Sequence, residues 1–136
     1  MKMYKLAFYD LELSYDNHKE GFAIGIFSSF EKAEQTAKYY IKNVNGFKDY
    51  NCEYKIEVKN IMGTADKKLK QVYIIEGWNI NSNLDEIDIV ESECFIDKQS
   101  AENGLEVMKQ KYSRCEWSLD KYIIDECQWT DGFVRI

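Results

Sequence analysis

An internal repeat constrains the fold of this chain more than any other feature of its sequence. The segment IFSSFEKAEQTAKYYIKN, which begins at residue 26, aligns at an offset of 68 with CFIDKQSAENGLEVMKQK, which begins at residue 94. The identical pairs at this offset are Phe27 with Phe95, Ala33 with Ala101, and Glu34 with Glu102. Self-similarity at a fixed offset is the signature of a duplicated structural unit.

The alignment continues on both sides of this segment with a single slip. Downstream the offset remains 68, and upstream it becomes 69. The matched pairs are Tyr54 with Tyr122 and Ile56 with Ile124 downstream, and Tyr4 with Tyr73, Leu6 with Ile75, Tyr9 with Trp78 and Leu11 with Ile80 upstream. One residue is therefore missing from the second copy between residues 80 and 95, an interval with a polar loop in which a deletion costs little.

The strands are predicted from the spacing of apolar residues. We expect strands at residues 4–13, 22–28 and 52–59 in the first copy, and at 72–80, 87–95 and 119–127 in the second. The clearest case is CEYKIEVK at residues 52–59, where Cys52, Tyr54, Ile56 and Val58 alternate with charged residues. Such alternation is typical of a strand with one buried and one solvated face.

One amphipathic helix is predicted between the second and third strands of each copy, because apolar residues there lie three to four positions apart. The apolar stripes are Phe30, Ala33, Ala37, Tyr40 and Val44 in the first copy, and Ala101, Leu105, Met108 and Tyr112 in the second. Ser28 or Ser29 is expected to cap the first helix, and Asp97 the second. Ser28-x-x-Glu31 also has the form of a capping box.

These elements predict an α+β fold built as a tandem ββαβ repeat. We expect a single domain over residues 1–136, with the first repeat at 1–61, a basic, solvated linker at 62–71 and the second repeat at 72–136. A unit of about 60 residues buries too little surface to be stable alone. The repeats are therefore expected to join in antiparallel or mixed sheets around a pseudo-two-fold axis, with two helices packed on one side. The element order is analogous to that of a ferredoxin-like sheet.

The charge of the chain excludes several classes of partner. A formal net charge of -6 argues against nucleic acid and anionic membrane surfaces, which attract basic proteins. It leaves open a basic protein partner. The start of the chain lacks the apolar run of a secretory signal, and no segment has the apolar length of a membrane span. We therefore predict a cytoplasmic protein without membrane association, as a monomer or a homodimer.

The cysteine and histidine content predicts no metal site and no cofactor. The four cysteines, Cys52, Cys94, Cys115 and Cys127, include no C-x-x-C pair, and the chain has one histidine, His18. The cysteines at 52, 94 and 127 lie in predicted strands and are expected to be buried thiols. His18 is expected in a hydrophilic loop, without the positioned partner that a general base needs. No catalytic residue is predicted.

Several short motifs resemble a small bacterial family of uncharacterised domains. The resemblance rests on GIFSSFEKA, GFKD and YKIE in the first copy, and on VYII, YIID and WTDGF in the second. Neither copy has the whole set. The first has Ile61 and Thr64 where the second has the Trp and Gly of WTDGF, and the second has SRC at 113–115 where the first has NGF at 45–47. The resemblance implies a fold but no activity, so no catalytic residue is carried over.

Four aromatic residues are candidate ligand-binding residues: Tyr9, Trp78, Trp117 and Trp129. Tyr9 and Trp78 are matched residues of the two copies, and a pseudo-two-fold axis would place them in one groove between the repeats. Core packing is the competing interpretation, since aromatic residues dominate protein cores.

The acidic segment LDEIDIVESE at residues 84–93 has two interpretations. Its alternating carboxylates could bind a divalent cation or a basic partner. Alternatively, they protect an edge strand against aggregation, which is the interpretation that we favour.

Two functions from different classes remain open at this point. The preferred one is a non-enzymatic protein-binding or regulatory module, with a toxin-like partner as one possibility, as for small acidic immunity proteins. The alternative is a small-ligand-binding protein or enzyme that uses a cleft between the repeats. An enclosed pocket holding two carboxylates, or Tyr9 with Trp78, would favour the alternative, and a flat acidic surface would favour the module. A third option, an acidic mimic of nucleic acid, requires rows of carboxylates on one convex face.

Overall fold

The computed structural model describes the backbone of residues 1–15, 18–63, 68–81 and 86–134, and their side chains except at 12–20 and 80–88. The fold class is α+β, as predicted. The elements in chain order are β1 (Lys2–Tyr15), β2 (His18–Phe27), α1 (Phe30–Asn43), β3 (Cys52–Met62), β4 (Gln71–Asn81), β5 (Glu86–Glu91), β6 (Cys94–Phe95), α2 (Lys98–Lys111) and β7 (Glu116–Ile123). Neither helix is long and apolar enough to cross a membrane, and the described residues contain no other helix.

The chain forms two compact units whose sequences interleave. One, the β1 unit, consists of Lys2–Lys59 and Ile124–Ile136. The other, the β4 unit, consists of Met1 and Asn60–Ile123. The end of the chain thus belongs to the same unit as its first three strands.

In the β1 unit, β1 lies between β2 and β3. β1 and β2 are antiparallel, with Tyr4 opposite Phe27 and Phe8 opposite Phe22. Side chains from one face of this sheet pack against α1. The buried cluster comprises Leu6, Phe8, Phe22, Ile24, Phe27, Ala33, Ala37, Tyr40, Val44 and Phe47.

Helix α1 begins where the sequence predicts, because Ser29 is its N-cap and accepts a hydrogen bond from the Lys32 backbone N–H. Ala33, Ala37 and Tyr40 of the predicted stripe are buried. The stripe is wrong at Phe30, which is 47% exposed. The capping box from Ser28 is also wrong, since the helix starts one residue later.

The predicted alternation of β3 is correct only in its first half. Burial alternates from Cys52 to Ile56, but Val58 is 51% exposed and Lys59 is buried. The buried side changes because the last residues of β3 leave the β1 unit. In the β4 unit, Ile61 pairs in parallel with Cys94 of β6.

In the β4 unit, β4 pairs antiparallel with β5, β6 and β7, so that the parallel β3–β6 pair makes this sheet mixed. The predicted strand at 87–95 is interrupted at Ser92. The Ser92 backbone N–H donates to Ile75 O at 2.9 Å, and its hydroxyl oxygen accepts from Ile75 N at 2.8 Å. The predicted strand at 119–127 instead spans Glu116–Ile123.

Helix α2 is capped by Asp97, as predicted, through a hydrogen bond from Ser100 N at 2.7 Å. Its apolar stripe is buried only at Ala101. Val107 is 66% exposed. α2 therefore buries less of its surface than α1 does.

Candidate functional site

The C-terminal segment, Ile124–Val134, extends the sheet of the β1 unit. Asp125 N donates to Ile26 O at 2.8 Å, and Gln128 N donates to Ile24 O at 2.7 Å. Both acceptors belong to β2, whose outer edge is thereby covered along this stretch. An uncovered edge would leave these carbonyl groups available to another chain.

Two aromatic residues anchor the segment in the core of the unit. The Trp129 ring meets Phe22 edge to face at 4.8 Å, and the Phe133 ring stacks on Phe22 at 4.6 Å. Phe133 also contacts Phe47 at 5.0 Å, and its backbone N–H donates to Asn45 O. The Trp and Phe of the WTDGF motif therefore hold the segment in place.

The path of the segment is imposed by these contacts. Asp125 and Trp129 have left-handed backbone angles, with φ of 66° and 60°. This conformation costs about 1–2 kcal/mol for a residue with a side chain, although Asp tolerates it better than Trp does. The surrounding contacts must therefore outweigh this strain.

A polar cluster ties the segment to the start of α1. Ser28 donates its backbone N–H to Asp125 Oδ1 and its hydroxyl to Oδ2, each at 2.8 Å. Lys32 Nζ lies 3.1 Å from Asp125 Oδ2 and 3.2 Å from Ser28 Oγ. Partial burial raises the pKa of Asp125, but the hydrogen bonds from Ser28 and Lys32 outweigh it, and the pKa lies below its usual value.

A cleft of about 560 Å³ lies between α1 and the C-terminal segment. Phe27, Tyr40 and Val44 supply its apolar lining, and all three are buried. Tyr39 also lines the cleft and is 60% exposed. The polar groups around the cleft belong to Lys32, Gln35, Thr36, Asp125, Cys127 and Thr130. The volume is in the range of ordinary ligand-binding pockets.

Tyr40 and Cys127 lie together in this cleft. The Tyr40 hydroxyl donates to Gln128 O at 2.8 Å, and burial raises the pKa of Tyr40 well above its usual value. Burial also raises the pKa of the Cys127 thiol. A thiol with a raised pKa is mostly protonated at neutral pH and is a weak nucleophile.

The chemistry of the cleft is suited to binding. Ser28 and Lys32 both donate to one carboxylate, so that they clamp Asp125 rather than act as a nucleophile and its base. The apolar lining and the few polar groups can hold and orient a partner group. Among the described residues, no group of three or more His, Cys, Asp and Glu side chains could hold a metal ion.

In the β1 unit, the predicted ligand-binding residues Tyr9 and Trp129 lie on opposite faces of the sheet. The Tyr9 ring lies against Gly21, opposite it on β2, whereas Trp129 packs on the next residue, Phe22. Successive residues of a strand point to opposite faces. Neither residue lines the cleft beside α1.

In the β4 unit, Trp78 and Trp117 are separated in the same way. The Trp117 ring covers Gly77, so close that a Cβ there would lie 2.5 Å from it, and Trp78 is the next residue of β4. Trp78 lines a smaller cleft of this unit instead. A ligand-binding role for the four predicted aromatic residues stays a prediction.

Two other predictions about individual residues are wrong. Cys127 is exposed, because β7 ends at Ile123 and places it in the C-terminal segment. His18 is the first residue of β2, opposite Tyr15, rather than part of a loop, and its side chain lies outside the described residues.

Part of the predicted acidic segment, residues 84–85, also lies outside the described residues. The rest forms β5, which stands at the end of the strand order next to β4. Ile89 in this strand is 59% exposed. This placement is the one expected of an edge strand.

Sequence reasoning missed Lys32, Tyr39 and Asp125 as site residues. Lys32 and Tyr39 read as the solvated side of an amphipathic helix, and Asp125 as part of a strand. One signal was available: WTDGF occurs in only one of the two copies. A motif with two aromatic residues at a chain end indicates a segment that docks elsewhere.

Comparison of the chain with models of protein families, with curated proteins and with solved structures finds no match.

Proposed function

We propose that this protein is a non-enzymatic binding module of the cytoplasm, whose cleft between α1 and the C-terminal segment takes an apolar stretch of a protein partner. The observation that carries this proposal is the half-exposed Tyr39 ring above a lining of buried apolar side chains. Tyr residues at such positions are enriched among those that dominate binding energy, because one face is apolar and the hydroxyl stays wet.

The polar end of the cleft favours an uncharged group at that point. Lys32 and Asp125 already pair with each other, and Ser28 satisfies the same carboxylate. An incoming charged side chain would have to displace this cluster. An aliphatic or aromatic side chain would instead bury apolar surface against Phe27, Tyr40 and Val44, at about 25 cal/mol for each Å².

The charge of the module favours a partner that is basic around its apolar stretch. The chain has a net charge of -6, and the C-terminal segment contains Asp125, Glu126 and Asp131 but no basic residue. Opposite charge on the partner would accelerate association and fix its orientation. Four free cysteines are consistent with a reducing compartment such as the cytoplasm.

The tandem ββαβ repeat is part of the same proposal. It is supported by strand pairs that match at the offsets of the sequence alignment. Tyr4 opposite Phe27 matches Tyr73 opposite Phe95, and Phe8 opposite Phe22 matches Gly77 opposite Val90. Each copy would then hold a binding site of its own, altered by divergence.

Affinity capture followed by titration tests the proposed function. The full chain and its Tyr39→Ala variant are used as bait in a lysate of the native cell, and the captured protein is then purified and titrated. Ile41→Ala is the matched control, because Ile41 is 41% exposed on the same helix and does not line the cleft.

We expect Tyr39→Ala to weaken binding about tenfold or more, a loss of at least ~1.4 kcal/mol, and Ile41→Ala to leave it unchanged. Equal binding by Tyr39→Ala and the unaltered chain would refute the cleft as the site. Failure to capture any protein that binds after purification would refute the protein-binding function.

A further inference from the structure

The β4 unit has two adjoining clefts that differ from the cleft beside α1. The larger, of about 370 Å³, is lined by Asn79, Val90, Tyr112, Ser113, Arg114 and Cys115. The smaller, of about 240 Å³, is lined by Trp78, Asn79, Arg114 and Glu116. Asn79 and Arg114 line both, so the two clefts meet at these side chains.

The larger cleft lies where the β1 unit has aromatic rings. Phe8, Phe22 and Phe47 form part of the aromatic core of the β1 unit, with ring centroids 4.9 Å and 5.5 Å apart for Phe8–Phe47 and Phe22–Phe47. Under the duplication proposed above, the matched residues in the β4 unit are Gly77, Val90 and Cys115. Trp117 covers Gly77, but Val90 and Cys115 are much smaller than phenylalanine, and both line the cleft.

The smaller cleft carries one charge of each sign. Arg114 stands at the position of Gly46, and Glu116 at that of Lys48. In the part of the chain that the structure describes, neither Arg114 nor Glu116 forms an ion pair. A guanidinium presents a fork of N–H donors that fits a carboxylate, and a carboxylate accepts from an ammonium group.

From these observations we infer that the β4 unit binds a free α-amino acid with a large apolar side chain. Its carboxylate pairs with Arg114 and its ammonium group with Glu116, while its side chain enters the larger cleft beside Val90 and Cys115. There the side chain takes the place that Phe22 and Phe47 fill in the β1 unit. The inference rests on the proposed duplication, but it concerns a different site and ligand from the cleft beside α1.

Calorimetric titration of the purified full chain with L-phenylalanine, L-tryptophan and L-leucine tests the inference. Saturable binding of at least one of them is expected. For the best amino acid, analogues that lack either the ammonium or the carboxylate group, such as 3-phenylpropionate and phenethylamine for phenylalanine, should bind about tenfold or more weakly, since each loses a charge-assisted hydrogen bond. No saturable binding of any of the three, or equal binding of the analogues, would overturn it.

Variants of the β4 unit locate the site. Arg114→Gln and Glu116→Gln should each weaken amino-acid binding about tenfold, and Val90→Phe should abolish it by filling the larger cleft with the ring that the β1 unit has at Phe22. Thermal unfolding of Val90→Phe checks that it folds, and Arg114→Gln provides a test that leaves the apolar lining intact. Unchanged binding in all three variants would refute the assignment.

The Tyr39→Ala variant separates this inference from the proposed function. It should lose the protein partner and retain amino-acid binding, because Tyr39 lies in the β1 unit. Loss of amino-acid binding in Tyr39→Ala, with Arg114→Gln unaffected, would move the ligand to the cleft beside α1 and overturn the inference.

Discussion

Ser28 and Asp125 lie 97 residues apart in the chain, and Ser28 gives both its backbone N–H and its hydroxyl to the Asp125 carboxylate. This contact joins the start of α1 to the C-terminal segment at one end of the candidate cleft. Lys32 adds an ion pair at 3.1 Å, in which its side chain is 56% exposed. Exposed ion pairs contribute little to stability, so most of the stabilisation comes from the hydrogen bonds of Ser28.

We expect Asp125→Asn to lower the free energy of unfolding by about 1–2 kcal/mol, since it weakens charge-assisted hydrogen bonds and keeps a residue that tolerates left-handed φ. Urea denaturation followed by far-ultraviolet circular dichroism measures the change. Glu126→Gln is the control, because Glu126 is exposed and adjacent. An Asp125→Asn protein as stable as the control would show that the cluster contributes nothing.

The lowered pKa of Asp125 predicts an acid-dependent loss of stability. A carboxyl whose folded pKa lies below its unfolded value, about 3.9 for Asp, stabilises the fold above that value and loses this contribution as pH falls through the folded pKa. Below about pH 4, the unaltered chain should therefore lose more stability than Asp125→Asn does. Urea midpoints at a series of pH values measure this, and parallel curves would contradict it.

Phe133→Ala should destabilise the protein by about 2–3 kcal/mol. The substitution removes ring contacts with Phe22 and Phe47, and a partly buried phenylalanine falls at the low end of the cost of such truncations. Chemical denaturation measures the loss. Val134→Ala is the matched control, since Val134 is 82% exposed and its truncation should change stability by less than about 0.5 kcal/mol.

Gly46→Ala should also destabilise the β1 unit, by about 1 kcal/mol or more, because Gly46 has a φ of +86° and a Cβ there would lie 2.5 Å from the Phe133 ring. Combining it with Phe133→Ala removes the clash but not the backbone strain. The double variant should therefore lose less stability than the sum of the two single variants. Strict additivity in urea denaturation would show that the ring does not press on Gly46.

Cys127 should react slowly with alkylating agents near neutral pH, although it is exposed. Burial raises the pKa of its thiol, which lowers the fraction of reactive thiolate. Mass spectrometry of the Cys127 peptide after timed treatment with iodoacetamide should show slower labelling than free cysteine at pH 7, with the difference shrinking as pH rises. Labelling as fast as free cysteine would contradict the raised pKa.

The elements of the fold were predictable from sequence where short-range interactions decide them. Ser29 and Asp97 cap helices because their side chains reach N–H groups three residues ahead. Burial alternates from Cys52 to Ile56 because both faces of that stretch keep the same surroundings. The alternation fails at Val58, where the strand passes to another unit and no local pattern records the change.

The candidate site depended on contacts that spacing does not reveal. Residues at or near position 125 were predicted as strand because Tyr122 and Ile124 continue an alternating pattern. In the structure the chain turns after Ile123, and Asp125 takes a left-handed conformation to pair with Ser28. Only the docking of Trp129 and Phe133 outweighs the strand preference of this stretch.

By itself, the sequence determined the α+β class, the existence of both helices and their capping residues, because these follow from periodicities and hydrogen bonds within a few positions. Tertiary structure alone decided that the end of the chain covers β2 and forms the cleft with α1. The physical reason is that the cleft joins residues more than 80 positions apart, Tyr40 with Gln128 and Ser28 with Asp125. Which edge a terminal segment covers depends on the surface that the rest of the chain presents once it has folded.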